Sequence, residues 1–271
     1  MMVRRYNNSI EEFELKYRKI ISSNSELYYP LAKGIENLKK NETSLIDCFD
    51  ITDDYNNWII TLYLKEYCLI YSNGFSDNMI LKLSKLLKFE ITPEFRVFGS
   101  RNVVQALFSL NKCCYDLIKH RIIYSCDTIQ AFDYAPGKME LGDYKRIDDL
   151  TRLFVEFIEA YDNKKEDFNK RRDIIQQQIN NRTFYQWNNN NCICSIAIIM
   201  NKNTISGFYT DLRFRNKGFG GSLIHSLTRK MLNGGIPKCW LKADGKNAIS
   251  NKVFVKTGYE KTGEFFHVVK K

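Results

Sequence analysis

FRNKGFGGSLIHSLTRKML, residues 214–232, decides how this chain is read. Three glycines, Gly218, Gly220 and Gly221, precede a segment with the apolar spacing of an amphipathic helix. Bare backbone at a helix start has a use. The first amides of a helix have no partner inside it, and they carry partial positive charge. With no Cβ in the way, a phosphate can approach them closely. Arg215 and Lys217 add charge nearby. Two familiar phosphate loops are excluded. A Walker A loop needs a lysine before its Ser or Thr, and Gly221-Ser222-Leu223 has none. The dinucleotide fingerprint needs glycine at the sixth position, where Leu223 stands. The stretch suits a pyrophosphate held by a loop of another kind.

Bulk composition is that of a globular protein. The chain has 271 residues, 44% hydrophobic and 27% charged, enough for two cores of middling size. No apolar run reaches membrane-spanning length. The start, MMVRRYNNSIEEF, turns acidic where an export signal would turn apolar. Eight cysteines form no CxxC pair and accompany only three histidines, so no metal site is expected. Buried reduced thiols in a cytoplasmic protein are the expectation. The net charge of +10 is spread, with Asp and Glu interleaved among Lys and Arg. No dense basic face or recognition motif points to nucleic acid.

Periodicity predicts a mixed α/β chain with a break at Tyr134-Ala135-Pro136-Gly137. Domains of 1–134 and 138–271 follow. In the first, residues 11–41 read as helical, interrupted by Pro30 and Gly34. Residues 57–72 read as two strands or a hairpin, 76–88 as a helix, 95–99 as a short strand, 101–119 as a helix and 121–132 as a strand pair or extended segment. In the second, the order reads β-α-α-β-β-β-α-β-α-β. It includes strands at Thr204–Thr210 and Lys238–Ala243, a helix over Gly220–Asn233 and a short helix over Ala248–Thr257.

At this point the sequence resembles a known family. RNKGFG (215–220) fits the R/Q-x-x-G-x-G/A loop that marks the GNAT superfamily of N-acetyltransferases. The wider FYTDLRFRNKGFGGSL (208–223) and the later NAISNKVFVKTGYE (247–260) resemble two segments of two-domain bacterial members, in the right order. The resemblance implies a GNAT-like C-terminal domain with splayed central strands, preceded by a smaller or degenerate GNAT-like α/β domain. It also implies acetyl-CoA, or another acyl-CoA, lying between the two splayed strands. Backbone groups of Phe208, Tyr209 and Thr210 would pair with its pantetheine amides. Arg215, Asn216, Lys217, Gly218, Phe219, Gly220, Gly221 and Ser222 would hold the pyrophosphate. Asn247, Asn251 and Phe254 would line the cofactor's arm.

The family often carries a tyrosine where Phe254 stands, and a phenyl ring donates no proton. Tyr259 and Tyr209 are the nearby hydroxyls, and Asp211 is a candidate base. The stretch 183–210 holds no Asp or Glu at all. The implied activity is acetyl transfer to a primary amine, on a small molecule or a protein, by direct attack in a ternary complex. A non-catalytic acyl-CoA sensor or partner-binding module is the alternative. No membrane or nucleic-acid partner is expected, and the molecule would be a monomer or homodimer.

Overall fold

The computed structural model describes residues 1–89, 96–162 and 165–271. The first half runs β1 (Met2–Arg5), α1 (Ile10–Ser23), α2 (Tyr29–Lys39), β2 (Leu45–Thr52), β3 (Trp58–Leu64), β4 (Cys68–Ser72), α3 (Asp77–Leu86), β5 (Arg96–Ser100), α4 (Arg101–Leu110) and β6 (Tyr115–Cys126). The second runs β7 (Lys138–Leu141), α5 (Ile147–Asp162), α6 (Phe168–Asn180), β8 (Phe184–Asn189), β9 (Cys192–Met200), β10 (Thr204–Thr210), α7 (Phe219–Asn233), β11 (Cys239–Asp244), α8 (Ala248–Lys256) and β12 (Glu260–Lys270). The same order, β-α-α-β-β-β-α-β-α-β, therefore occurs twice. Phe95, the expected first residue of β5, lies outside the described residues.

The chain forms two compact units. One comprises Met1–Ile123, Asp244–Lys246 and Thr262–Lys271; the other comprises Tyr124–Ala243 and Asn247–Lys261. In the first unit the strand order is β1-β2-β3-β4-β5-β12-β6. Strand β12 pairs antiparallel with β5, Phe265 opposite Ser100 and Val269 opposite Arg96. Its Phe266 and Val268 join Ile70, Met79, Val97, Val104 and Phe108 in the core. Strand β4 pairs parallel with β5 through Ile70↔Gly99. The two backbones come so close there that a Cβ on Gly99 would stand 1.8 Å from the Ile70 carbonyl oxygen.

The expected helix over 101–119 is two elements. Helix α4 stops at Leu110, and Lys112 turns the chain at φ 48°. The following YDLIKHRIIYSC becomes β6, whose first four residues alternate between half-buried and exposed side chains with the period of a strand.

The second unit's sheet runs β11-β10-β9-β8-β7. Helix α5 starts with Asp148 and Asp149 in its first turn, where carboxylates suit the positive end of the helix dipole. Its Ile147, Leu150, Leu153 and Phe154 form one apolar stripe. That stripe packs with Ile175 of α6 on Phe184, Ile196 and Ile198. Two asparagines, Asn190 and Asn191, take positive φ of 47° and 60° and turn β8 into β9. Helices α5 and α7 both pack on β9 and β10.

Candidate active site

The site is built where β10 and β11 part. The two strands are parallel, but register joins only Thr204↔Trp240 and Ile205↔Leu241, and pairing goes no further along β10. On its other edge β10 stays paired to β9, with a shift between Ser206 and Tyr209. Ser206 faces Ile198 and Tyr209 faces Ile196, so β10 carries an extra residue there. Gly207 sits in this bulge at φ 58°. A Cβ on it would lie 2.5 Å from Cε2 of Phe154, which fills the space on the α5 side. Helix α5 and a positive φ together thus require glycine at 207. The bulge falls where β10 stops pairing with β11, beyond Ile205 and Leu241, and the slot lies between the two strands from there on.

The glycine loop lies at the end of this slot. Asp211 starts a single 3-10 turn over Leu212–Phe214. Asn216 then adopts φ 59° and Gly218 φ 82°, and Gly218 is the residue before α7. Loop hydrogen bonds run up to Arg215, whose amide donates to the Leu212 carbonyl. They resume at Ser222, whose amide donates to the Gly218 carbonyl. Of the amides between, those of Gly218–Gly221 are the cap and first turn of α7, which nothing in the helix can satisfy. Asn216, Lys217 and Gly218 are exposed.

Gly220 and Gly221 serve packing. A Cβ on Gly220 would stand 2.6 Å from Thr210 Oγ1 and 2.8 Å from Phe208 Cζ. One on Gly221 would stand 3.1 Å from Phe132 Cζ. They let the first turn of α7 seat directly on β10. Arg215 donates from Nε to the Thr210 carbonyl at 3.2 Å, and its guanidinium lies over the Tyr209 ring. Lys217 Nζ donates to the Arg213 carbonyl at 3.3 Å. Ser222 is set apart from this group. It is fully buried, its hydroxyl donates to the Gly218 carbonyl and accepts from the Ala135 amide at 2.8 Å.

Helix α8 forms the other wall. Asn247 caps it, accepting from the Ser250 amide at 3.0 Å. Asn251 donates from Nδ2 to the Asn247 carbonyl at 2.7 Å, and its Oδ1 accepts from the Tyr124 hydroxyl at 3.0 Å. Phe254 is buried between two rings, Phe208 at 5.7 Å and Tyr124 at 5.9 Å between centroids. Tyr124 is a wall residue that the sequence reading did not pick out. It stands 127 positions before Asn251, and no local pattern connects them.

The three groups offered as acid or base are held in other work. Asp211 is 2% exposed and accepts from Arg213 through its amide, Nε and Nη2, and from Arg152 Nη2 at 3.3 Å. The bonds from Arg213 hold its carboxyl down at about 2, against the effect of burial. So weak a base takes no proton from an ammonium group near neutral pH. Tyr259 is buried, its hydroxyl 2.8 Å from Thr228 Oγ1, and burial pushes its pKa far up. Tyr209 points to the α5 side, where its hydroxyl donates to Glu156 Oε2 at 3.3 Å. Burial, then the Glu156 charge, raises it. Glu156 in turn accepts from Arg152 at 2.5 Å. Cys239, on the slot's second strand, is buried and pushed up to about 12, so it remains a thiol.

Comparison with known proteins agrees with this geometry. The acetyltransferase (GNAT) family model matches residues 147–259, from the start of α5 to the end of the α8 turn. A GCN5-related N-acetyltransferase from Sphaerobacter thermophilus superposes with a TM-score of 0.53 at 10% identity, covering 88% of this chain and 85% of that one. A GNAT-family acetyltransferase from Colwellia psychrerythraea gives the same TM-score and identity over 100% and 99% of the two chains. At such identity the likeness is one of fold. No curated protein matches the sequence. Residues 147–259 match the GNAT acetyltransferase family, and the chain shares the fold of GNAT proteins.

Proposed function

We propose that this protein is an acetyl-CoA-dependent N-acetyltransferase acting on a primary amine by direct attack in a ternary complex. The reading rests on one observation above others: the slot between β10 and β11 ends at the glycine loop and the unpaired amides of the α7 cap and first turn, Gly218–Gly221. A strand edge next to a cluster of outward amides fits a cofactor with an amide-bearing arm and a diphosphate. The edge of β10 from Ser206 to Thr210 would pair with the arm, and the amides of 216–221 would hold the diphosphate, with Arg215 and Lys217 beside it. Bound acetyl-CoA supplies the acetyl group as a thioester. The chain's part is to align the acceptor nitrogen with that carbonyl and to polarise it with main-chain donors at the bulge. Ser222 falls outside the cradle, because its amide and hydroxyl are both engaged.

Helices α5 and α6 are the proposed acceptor walls, and the N-terminal unit is a proposed accessory domain. The cysteines take no part as nucleophiles. An acyl-CoA sensor would share the cradle, and the occupied Asp211 is what favours it. The two readings separate in one experiment. Calorimetry with acetyl-CoA tests the cradle, and thiol release with a panel of small amines and lysine peptides tests transfer. Saturable binding with thiol release supports the transferase; binding with none from any amine supports the sensor. No binding at all removes both.

A further inference from the structure

We propose that residues 130–136 form a strap that holds the cap and first turn of α7 in place for the diphosphate, with His225 as the positioning residue; this rests on the cofactor reading above. Between β6 and β7 the chain has no helix or strand of its own. It runs along α7 instead, and its contacts can be followed in order. The Gln130 carbonyl lies 3.0 Å from Nε2 of His225. Phe132 stacks on the same imidazole, with ring centroids 4.6 Å apart and planes within 14° of parallel. The Tyr134 hydroxyl lies 2.8 Å from Nδ1 of that ring. The Ala135 amide donates to Ser222 Oγ at 2.8 Å, and the Trp187 indole donates to the Pro136 carbonyl at 3.1 Å.

The proton on the imidazole can be placed. A carbonyl only accepts, so Nε2 carries the hydrogen and Nδ1 accepts from Tyr134. His225 is 2% exposed, and burial lowers its pKa, so the ring is neutral near neutral pH. One buried side chain thus bonds two residues of the strap with both of its nitrogens. Releasing the strap would leave both unsatisfied, which favours the seated state. Two contacts carry that seating to the helix start. Phe132 bears on Gly221, where a Cβ would stand 3.1 Å from its Cζ. Ser222 accepts from Ala135 and donates to the Gly218 carbonyl, so it links the strap to the cap. Gly218 and Gly221 are the two ends of the stretch whose amides are proposed to hold the diphosphate. Glycine leaves backbone bare but also free to move, so a brace from outside the loop supplies the order that side chains would give elsewhere. A cradle already ordered binds without first losing that freedom.

The test uses the full chain. Calorimetry with coenzyme A is run on wild type, His225→Ala, His225→Gln and Tyr134→Phe. Hydrogen exchange at the Ala135 amide is followed with and without coenzyme A. His225→Ala should bind about tenfold more weakly, the scale of one hydrogen bond to a charged group. In steady state its KM for acetyl-CoA should rise while kcat stays within about twofold of wild type. His225→Gln keeps an Nε2 donor for the Gln130 carbonyl and should recover most of the affinity. Tyr134→Phe, which loses one hydroxyl, should bind about threefold more weakly. Coupling is reciprocal, so saturating coenzyme A should slow exchange at the Ala135 amide of wild type by about tenfold. Equal affinity in His225→Ala and wild type overturns the proposal. So does Ala135 exchange that coenzyme A leaves unchanged, which would make His225 a packing residue only. If His225→Ala does not fold, the wild-type exchange measurement decides. If wild type binds no coenzyme A, the cofactor reading falls and this one with it. If wild type binds, a failure here is confined to the strap.

Discussion

Asp211 shows how a single residue can look catalytic and be structural. It follows β10 and borders the slot, yet four hydrogen bonds from two arginines consume its oxygens. Its carboxyl ionises at about 2 in the folded chain, below the usual carboxylate range near 3.9 in an unfolded one. A depressed folded pKa contributes stability that is fully present above about pH 4 and lost as pH falls towards 2. The contribution is about 2 kcal/mol. Urea unfolding of wild type should therefore lose about that much between pH 5 and pH 2, over and above the loss seen in Asp211→Asn. Equal losses in the two proteins would remove the ion-pair account. Activity near neutral pH should show no ionisation assignable to Asp211.

Helix α7 and strand β10 meet through a glycine instead of a side chain. Gly220 brings the helix start within reach of Thr210 and Phe208, so Gly220→Ala must push the helix or the strand aside. Overpacking of this kind costs about 1–3 kcal/mol, and here it also displaces the amides that follow Gly218. A lowered urea midpoint together with acetyl-CoA affinity reduced at least tenfold is the expected outcome; unchanged affinity would mean that the cradle does not depend on this packing. Elements of this second unit were largely legible in sequence. Thr204–Thr210 has the residues predicted for the strand, and the α7 region differs by one residue at its start. There, turns fall on asparagine and glycine, and apolar periods are long. The first unit was less legible. Strand β2, LIDCFDIT, places the buried Asp50 inside a core strand, where it accepts from Tyr6, Tyr17 and Lys16. A carboxylate in such a stretch reads as surface until its partners, 33 or more positions away for Tyr17 and Tyr6, are known. The bulge at Gly207 and the Tyr124–Asn251 bond were hidden for the same reason: both are set by residues remote in sequence.

The whole chain repeats one order of elements, but the two halves differ at the equivalent seam. In the second unit, pairing between the parallel strands stops after two register positions. In the first it runs one position further, through Ile70↔Gly99, and the close approach of the two backbones closes the seam at that point. Where α7 begins with glycines, α3 begins with Asp77, whose carboxylate repels an anion from the helix start. Calorimetry should thus give one acetyl-CoA per chain; two equivalent sites would contradict the closed seam. The first unit has another property that its sequence position conceals. Its sheet includes β12, and Phe266 and Val268 of that strand lie in its core. During synthesis, the nascent first half emerges from the ribosome without the strand that covers β5. It must wait, with an apolar edge unpaired, until residues 262–271 have been made. A gene cut between the halves at residue 137 would leave that fragment permanently one strand short, a client for chaperones and not a separable module.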